Sequence, residues 1–223
     1  MVDAVISAAQ VVDRLGALRD RLSRAGGDHV KVVAVTKGFG PDAVAAAMEA
    51  GLCDVGENYA QELIAKVKDV GHQPGVPFDP RWHFIGRLQR NKIRKIAGLV
   101  HLWQSVDRPE LADEIARRAP GARILVQVDV AGIGGRGGCP PSETAGLVQH
   151  CRKAGLEVAG LMAVGTLGPP EDVRPGFRLL ASQAEGLGLA ELSMGMTADI
   201  EVAVEEGTTL VRVGTGLFGP RPR

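Results

Sequence analysis

The sequence has few aromatic residues and no excess of charge of either sign. Phenylalanine, tryptophan and tyrosine together make up 4% of its 223 residues, and 26 Lys and Arg are balanced by 26 Asp and Glu. A chain without net charge generates no long-range field that attracts a polyanion. The composition therefore argues against nucleic acid or an anionic membrane surface as a partner.

Cysteine and long apolar runs are also scarce. Cys53, Cys139 and Cys151 lack the close spacing of a zinc site or a redox pair, and the five histidines form no metal-spaced set, so we expect no metal. No run approaches the roughly 18 apolar residues that a membrane span needs. Residues 1–25 interleave Asp and Arg, unlike a signal peptide. We predict a cytoplasmic protein that does not cross a membrane.

What the sequence does contain is a regular alternation of short apolar runs and amphipathic segments. After a helix predicted over 2–25, the predicted strands are Val30–Val35, Cys53–Val55, Trp82–Ile85, Val100–Ser105, Arg123–Val130, Val158–Val164, Glu191–Met194 and Thr209–Val213. The predicted helices between them are Pro41–Ala50, Tyr59–Val70, Gln89–Ala97, Pro109–Ala119, Ser142–Ala154, Val173–Leu187 and Asp199–Glu206.

Eight strand–helix units indicate an α/β protein whose parallel strands are joined by helical crossovers. We predict a single (β/α)8 TIM barrel domain over residues 1–223. Because little sequence follows the last strand, we expect the N-terminal helix to pack on the barrel there. A doubly wound open sheet is the alternative, since periodicity does not reveal closure.

Lys37 follows the first predicted strand with the same side-chain parity as Val33 and Val35. If those valines point into the barrel, the lysine does too. A lysine in a partly desolvated barrel mouth loses its proton more readily and becomes a nucleophile toward aldehydes. A solvated lysine at a strand end is the alternative that position alone favours.

The last two strands both end in small residues followed by a helix or a turn, in Ser193–Thr197 and Gly214–Gly216. Exposed N–H groups in such turns, with the hydroxyls of Thr197 and Thr215, can bind a phosphate, and TIM barrels commonly place a phosphate site there. Each cluster alone would be read as a simple turn, but their occurrence in consecutive units predicts an anion site.

Arg212 has the parity of Leu210, so we expect its guanidinium to face the mouth and to need an acceptor. A pyridine nitrogen would serve, and so would a carboxylate such as Glu57 or Asp129. Asn58 and His83 end the second and third strands within reach of a ring held between Lys37 and Arg212. A lone histidine such as His83 is also typical of a hydrogen-bonded core position.

The sequence resembles the pyridoxal 5′-phosphate homeostasis proteins, the YggS/PROSC-like family. The resemblance runs from residue 32 to 221 in the segments VVAVTK (Val32–Lys37), GENYAQEL (Gly56–Leu63), WHFIGRLQRNK (Trp82–Lys92), GLMAVG (Gly160–Gly165) and LSMGMTADIEVAVEEGTTLVRVGTGLFGPR (Leu192–Arg221).

This resemblance implies a barrel of the alanine racemase N-terminal domain type that holds pyridoxal 5′-phosphate (PLP) as a Schiff base on Lys37. It implies phosphate contacts from Met196, Thr197, Gly214 and Thr215, with Arg212 near the pyridine nitrogen. It also implies a part in buffering PLP and delivering it to PLP-dependent apoenzymes, with no established turnover. We favour a monomer over a dimer.

Several positions depart from the family pattern, among them Phe39, where some members have a second lysine. After strand five the family commonly has a Glu and a Lys where this chain has Ile133 and Arg136, which puts in doubt an exchange step that uses that lysine. Gln104 also replaces a frequent histidine. Two other functions stay open at this point. One is a PLP-dependent racemase or lyase acting on an amino acid. The other is a cofactor-free interaction protein whose basic stretch Arg87–Lys95 binds an acidic partner, although a solvated helix face is the ordinary explanation of such a stretch.

Overall fold

The computed structural model describes residues 6–70, 79–132, 137–166 and 168–221. Its elements in chain order are α1 (Ala8–Arg24), β1 (Lys31–Val35), α2 (Pro41–Glu49), β2 (Asp54–Glu57), α3 (Ala60–Val70), β3 (Arg81–Phe84), α4 (Arg90–Ile96), β4 (Val100–Val106), α5 (Pro109–Arg118), β5 (Arg123–Gln127), α6 (Thr144–Lys153), β6 (Glu157–Met162), α7 (Arg174–Gly186), β7 (Glu191–Ser193), α8 (Ile200–Glu205), β8 (Leu210–Val213) and α9 (Thr215–Phe218).

Within these residues, eight parallel strands pair in sequence order and close into a barrel. Closure is made by β1 and β8, with Val33 opposite Arg212. The (β/α)8 prediction is confirmed, and the open-sheet alternative is wrong because its first and last strands would not pair.

Alternation along the strands divides their side chains between two layers. Inward-facing apolar residues pack against one another in the barrel centre: Val33, Leu102, Leu125, Met162 and Leu210. Their strand neighbours, such as Val55 and Trp103, pack outward against the helices. The centre is thus a packed core, and a ligand can only be held at the barrel's ends.

Helix α1 packs against α2, α8 and α9, the elements on either side of the β1–β8 seam. Arg14 donates to the carbonyl oxygen of Leu217, and Arg21 forms an ion pair with Glu201. The helix begins at Ala8; the predicted start at residue 2 lies outside the described residues. That one domain spans 1–223 stays a prediction.

The fifth strand was predicted too long, because the apolar pattern continues to Val130 while β5 ends at Gln127. The chain folds back there: Cys139 donates to Gln127 and accepts from Asp129, so Val128 forms only an isolated bridge. Gly138 allows this return, since a Cβ at that position would lie 2.5 Å from the Asp129 nitrogen. Periodicity carries no signal of such a contact.

Short helical turns are a further difference. The predicted helices at 142–154 and 173–187 each begin with a 3₁₀ turn, at Pro141–Glu143 and Pro170–Val173. Helix α9 was not predicted, because four residues between glycines are too few to show a helical period. No helix in the described ranges combines the length and the apolar character that crossing a membrane requires.

Candidate functional site

A cavity of about 520 Å³ opens at the carboxyl ends of the strands, where TIM barrels hold their ligands. It is lined by Val35, Lys37, Asn58, Ile85, Gly86, Arg87, Gln127, Val164, Met196, Thr197, Ala198, Arg212, Gly214, Thr215 and Arg221. Seven of the eight predicted site residues are among them, and His83 is the exception. The structure thus brings together residues that lie up to 178 positions apart in sequence.

Lys37 is half-buried in this cavity, two residues after β1 ends. Burial lowers the pKa of its amine, and the charges of Arg221 and Arg212 lower it further, against a weaker opposing effect of Glu57 and Glu62. An amine with a depressed pKa is more often unprotonated at neutral pH and is then a nucleophile. The fully solvated alternative does not describe this lysine.

The residue before Lys37 is fixed by a buried ion pair outside the barrel. Glu57 accepts a hydrogen bond from the Thr36 hydroxyl and forms an ion pair with Lys66, at 2.5 Å in each case. Lys66 also donates to the Thr36 carbonyl oxygen at 2.7 Å. Burial raises the pKa of Glu57, while Lys66 and Thr36 oppose that rise. These contacts hold the β1 end from which Lys37 projects.

The turns after β7 and β8 pack directly on one another. Gly195 has a φ of +94°, and a Cβ there would lie 2.6 Å from that of Ala203, so the first turn requires glycine. A Cβ on Gly216 would lie 3.0 Å from the Thr197 hydroxyl oxygen. Small residues thus let Thr197 and the β8 turn approach closely, as an anion site built from two turns requires.

Arg212 is buried beneath these turns with its guanidinium bound to neutral oxygens. It donates to the Ser193 carbonyl and hydroxyl oxygens at 2.7 and 2.6 Å, and to the Ala163 carbonyl oxygen at 2.7 Å. In the described residues no carboxylate forms an ion pair with it, so the alternative pairing with Glu57 or Asp129 is wrong. Burial lowers its pKa to about 10, which leaves it protonated at neutral pH.

From Arg212 a chain of hydrogen bonds runs down through the barrel. The Ser193 hydroxyl donates to Gln104 Oε1 at 2.6 Å, and Gln104 Nε2 donates to His83 Nδ1 at 2.7 Å. His83 therefore carries its proton on Nε2, which donates to Asp54 at 3.0 Å. Each of these side chains is thereby held in place by a hydrogen bond to the next one.

These hydrogen bonds correct the placement expected for His83. Both of its ring nitrogens are occupied by Gln104 and Asp54, and it does not line the cavity. His83 is the hydrogen-bonded core residue that the alternative described, and it reaches Arg212 only through Gln104 and Ser193. The position of His83 at the end of the third predicted strand did not indicate its depth in the barrel.

We expect replacement of Gln104 by leucine to lower the free energy of unfolding by about 2 kcal/mol, because it leaves the Ser193 hydroxyl and His83 Nδ1 buried without this partner. Urea unfolding followed by circular dichroism measures the change. Gln149→Leu on the exposed face of α6 is the control. Equal effects of the two substitutions would show that the buried hydrogen bonds of Gln104 contribute nothing to the free energy of unfolding.

Sequence reasoning missed several residues that line the cavity, among them Gly86, Arg87, Gln127 and Arg221. A Cβ on Gly86 would lie 2.1 Å from the Asn58 carbonyl oxygen, so this glycine sets the position of Asn58. Arg221 lies over Gly38, whose added Cβ would be 3.0 Å from the arginine Cδ. Both residues lie in the segments that carried the resemblance, which was the only available signal. Ile133 and Arg136 lie outside the described residues.

Known proteins resemble this chain in both sequence and fold. The alanine racemase N-terminal domain family matches residues 6–222. The pyridoxal phosphate homeostasis protein of Aquifex aeolicus is 39% identical, covering 96% of each chain. The human protein of that name is 36% identical over 86% of this chain and 76% of its own. The structure of Synechococcus elongatus PipY with PLP bound superposes with a TM-score of 0.80 at 31% identity, covering 94% of this chain and 100% of that one.

Proposed function

Because the chain belongs to the pyridoxal phosphate homeostasis protein family, with the fold of the alanine racemase N-terminal domain, we propose that it binds PLP in the cavity at the strand ends. The protein buffers this cofactor in the cytoplasm and supplies it to PLP-dependent apoenzymes. One observation carries the proposal: a lysine amine, a buried guanidinium and two contacting glycine-containing turns all open into one cavity of about 520 Å³.

The cavity's own groups fit this ligand. Lys37 meets the aldehyde, while Thr197, Gly214 and Thr215, with Met196, surround the phosphate. The side-chain oxygen of Asn58 is buried and accepts no hydrogen bond within the described chain, so it is available to a ligand donor. The absence of a Cβ on Gly216 keeps room beside the Thr197 hydroxyl.

When bound, the cofactor supplies an aldehyde with which Lys37 forms a Schiff base. Burial and the charge of Arg221 lower the pKa of that amine, which favours its nucleophilic, unprotonated form. Arg212 can only donate hydrogen bonds, so a pyridine nitrogen that faces it accepts one and stays unprotonated. Such a ring withdraws electrons less strongly than one held protonated by a carboxylate, which suits storage better than amino acid chemistry.

The lining of the cavity supports a carrier over a racemase or lyase. Among the described lining residues none is Asp, Glu, His, Cys or Tyr, so Lys37 is the one side chain suited to proton transfer. Racemisation needs proton donors and acceptors on both faces of the substrate. Tyr59 and His83 lie outside this cavity. We therefore propose that the protein catalyses no turnover of its own.

The test is retention of PLP by the purified protein. After incubation with excess PLP and removal of the free compound by gel filtration, we expect about one equivalent per chain, with a visible absorption band, as a single site predicts. Alanine incubated with the loaded protein should keep its configuration. A chain that retains no PLP would contradict binding, whereas steady racemisation would contradict the carrier role alone.

Arg221 provides a test of how the amine is tuned. Replacing Arg221 by alanine removes a positive charge that lowers the pKa of Lys37, so that pKa should rise. A smaller fraction of unprotonated amine then makes capture slower at neutral pH and moves the pH–rate profile to higher pH. Stopped-flow absorption with pyridoxal, which lacks the phosphate, separates this effect from any phosphate contact.

The control for this substitution is Arg90→Ala, which removes an exposed arginine that does not line the cavity. An unchanged profile for Arg221→Ala, or an equal shift for Arg90→Ala, would show that Arg221 does not tune the amine.

A further inference from the structure

A second cavity of about 620 Å³ lies beside the first, between the loop after β2 and the start of α4. Asn58 and Arg87 line both cavities, so the two share a wall. A ligand in the second cavity would therefore contact two residues that also line the first. Nothing in the proposed function uses this second space.

The second cavity is positively charged. Arg87, Lys92 and Arg108 line it, and no carboxylate does within the described part of the chain. Arg108 is paired with Asp107 at 2.6 Å, but Arg87 and Lys92 have no ion-pair partner among the described residues. Two unpaired cations at the rim of a cavity form an attractive site for a phosphate group.

Its walls also suit a flat ring. Tyr59 leaves 58% of its surface exposed, and Phe84 and Leu88 form the buried side. An aromatic face can stack on a planar heterocycle. The cavity therefore offers cations for an anion and an apolar surface for a ring.

The structure also divides the basic stretch seen in the sequence. Arg87 and Lys92 line the cavity, whereas Arg94 and Lys95 are exposed and do not line it. Arg90 Nε lies 3.9 Å from Oε2 of Glu114 on α5. A surface for an acidic protein would use the whole stretch, but a small-molecule site needs only the residues that line the cavity.

We propose that the second cavity is a holding site for a phosphorylated pyridine, which it binds non-covalently next to the Lys37 cavity. This inference rests on the proposed function, because it gives the cofactor a place to wait on its way to or from Lys37. Arg87 and Lys92 bind the phosphate and Tyr59 covers the ring.

The experiment fills the first cavity irreversibly and asks whether a second ligand still binds. Protein loaded with PLP is treated with borohydride, which fixes the cofactor on Lys37. Equilibrium dialysis then measures binding of pyridoxine 5′-phosphate, whose alcohol in place of the aldehyde cannot react with lysines. We expect about one further equivalent, displaced by inorganic phosphate.

Lys92 lines only the second cavity, so its variants isolate this site. We expect Lys92→Ala to weaken the second binding roughly tenfold or more, and Lys92→Arg to retain it, because the arginine keeps the charge. The matched control, Arg94→Ala with Lys95→Ala, removes two charges from the same helix away from the cavity and should bind as the unaltered protein does.

Each outcome bears on one proposal. If the fixed protein binds no pyridoxine 5′-phosphate, or if the control loses as much as Lys92→Ala, the holding site is wrong. In the second case the basic stretch binds anions over its whole surface and not in the cavity. If no PLP is fixed in the first step, the proposed function fails instead. Uptake of the first equivalent by Lys92→Ala shows that this variant is folded.

Discussion

Replacing Lys37 by alanine should reduce PLP retention from about one equivalent per chain to none, with complete loss of the visible absorption band. The side chain is the one amine that lines the cavity among its described residues, and its pKa is lowered by burial and by two arginines. Without the amine only non-covalent contacts to the phosphate and ring are left, and gel filtration removes ligand held in this way. Absorption spectra after gel filtration measure the loss.

Two variants show whether this loss is specific. Lys37→Arg keeps the positive charge but has no nucleophilic amine, so it should also retain no PLP. Lys31→Ala removes an exposed lysine at the other end of the same strand and should retain it fully. A visible band that persists in Lys37→Ala would assign the cofactor to another lysine and would contradict the proposed site.

The largest effect on stability should come from Lys66→Ala, which we expect to lower the free energy of unfolding by about 3–5 kcal/mol. Glu57 is fully buried, and Lys66 is its positive partner at 2.5 Å. Removing the lysine leaves a carboxyl group that must stay charged without compensation or take up a proton. Chemical denaturation compared with Lys153→Ala, which removes an exposed lysine on α6, measures the difference.

The loss of unfolding free energy caused by Lys66→Ala should depend on pH in a defined direction. Burial raises the pKa of Glu57, and loss of Lys66 removes the main opposing effect. A carboxyl with a folded pKa above its unfolded value of about 4.3 contributes stability at low pH, and that contribution is lost as the pH rises through the folded pKa. The loss of unfolding free energy should therefore be smaller at about pH 5 than at about pH 8.

Glu57→Gln in the Lys66→Ala background is the companion to this test. An uncharged amide removes the buried charge, so the double variant should recover part of the stability and lose the pH dependence. A deficit that does not change with pH, or that Glu57→Gln leaves untouched, would show that packing of the Lys66 side chain, and not its charge, accounts for the effect.

The sequence by itself determined the order of elements and seven of the fifteen residues that line the cavity. Buried strands have continuous apolar runs and surface helices an amphipathic period, and both patterns are local. The sequence therefore predicted eight strand–helix units but did not show that the sheet closes. Ligand sites of a barrel lie after the strands, so Lys37, Arg212 and the last two turns became candidates when their positions were taken together.

The tertiary structure decided which polar groups meet. Barrel closure, the depth of His83, the pairing of Glu57 with Lys66 and the return of the chain at Gly138 all depend on residues distant in sequence. The same separation hid the role of Arg221, which reaches Lys37 only when the two ends of the chain fold together. Local periodicity reports which face of an element is buried, but a hydrogen bond also requires a partner at a set distance, and only the packed chain supplies it.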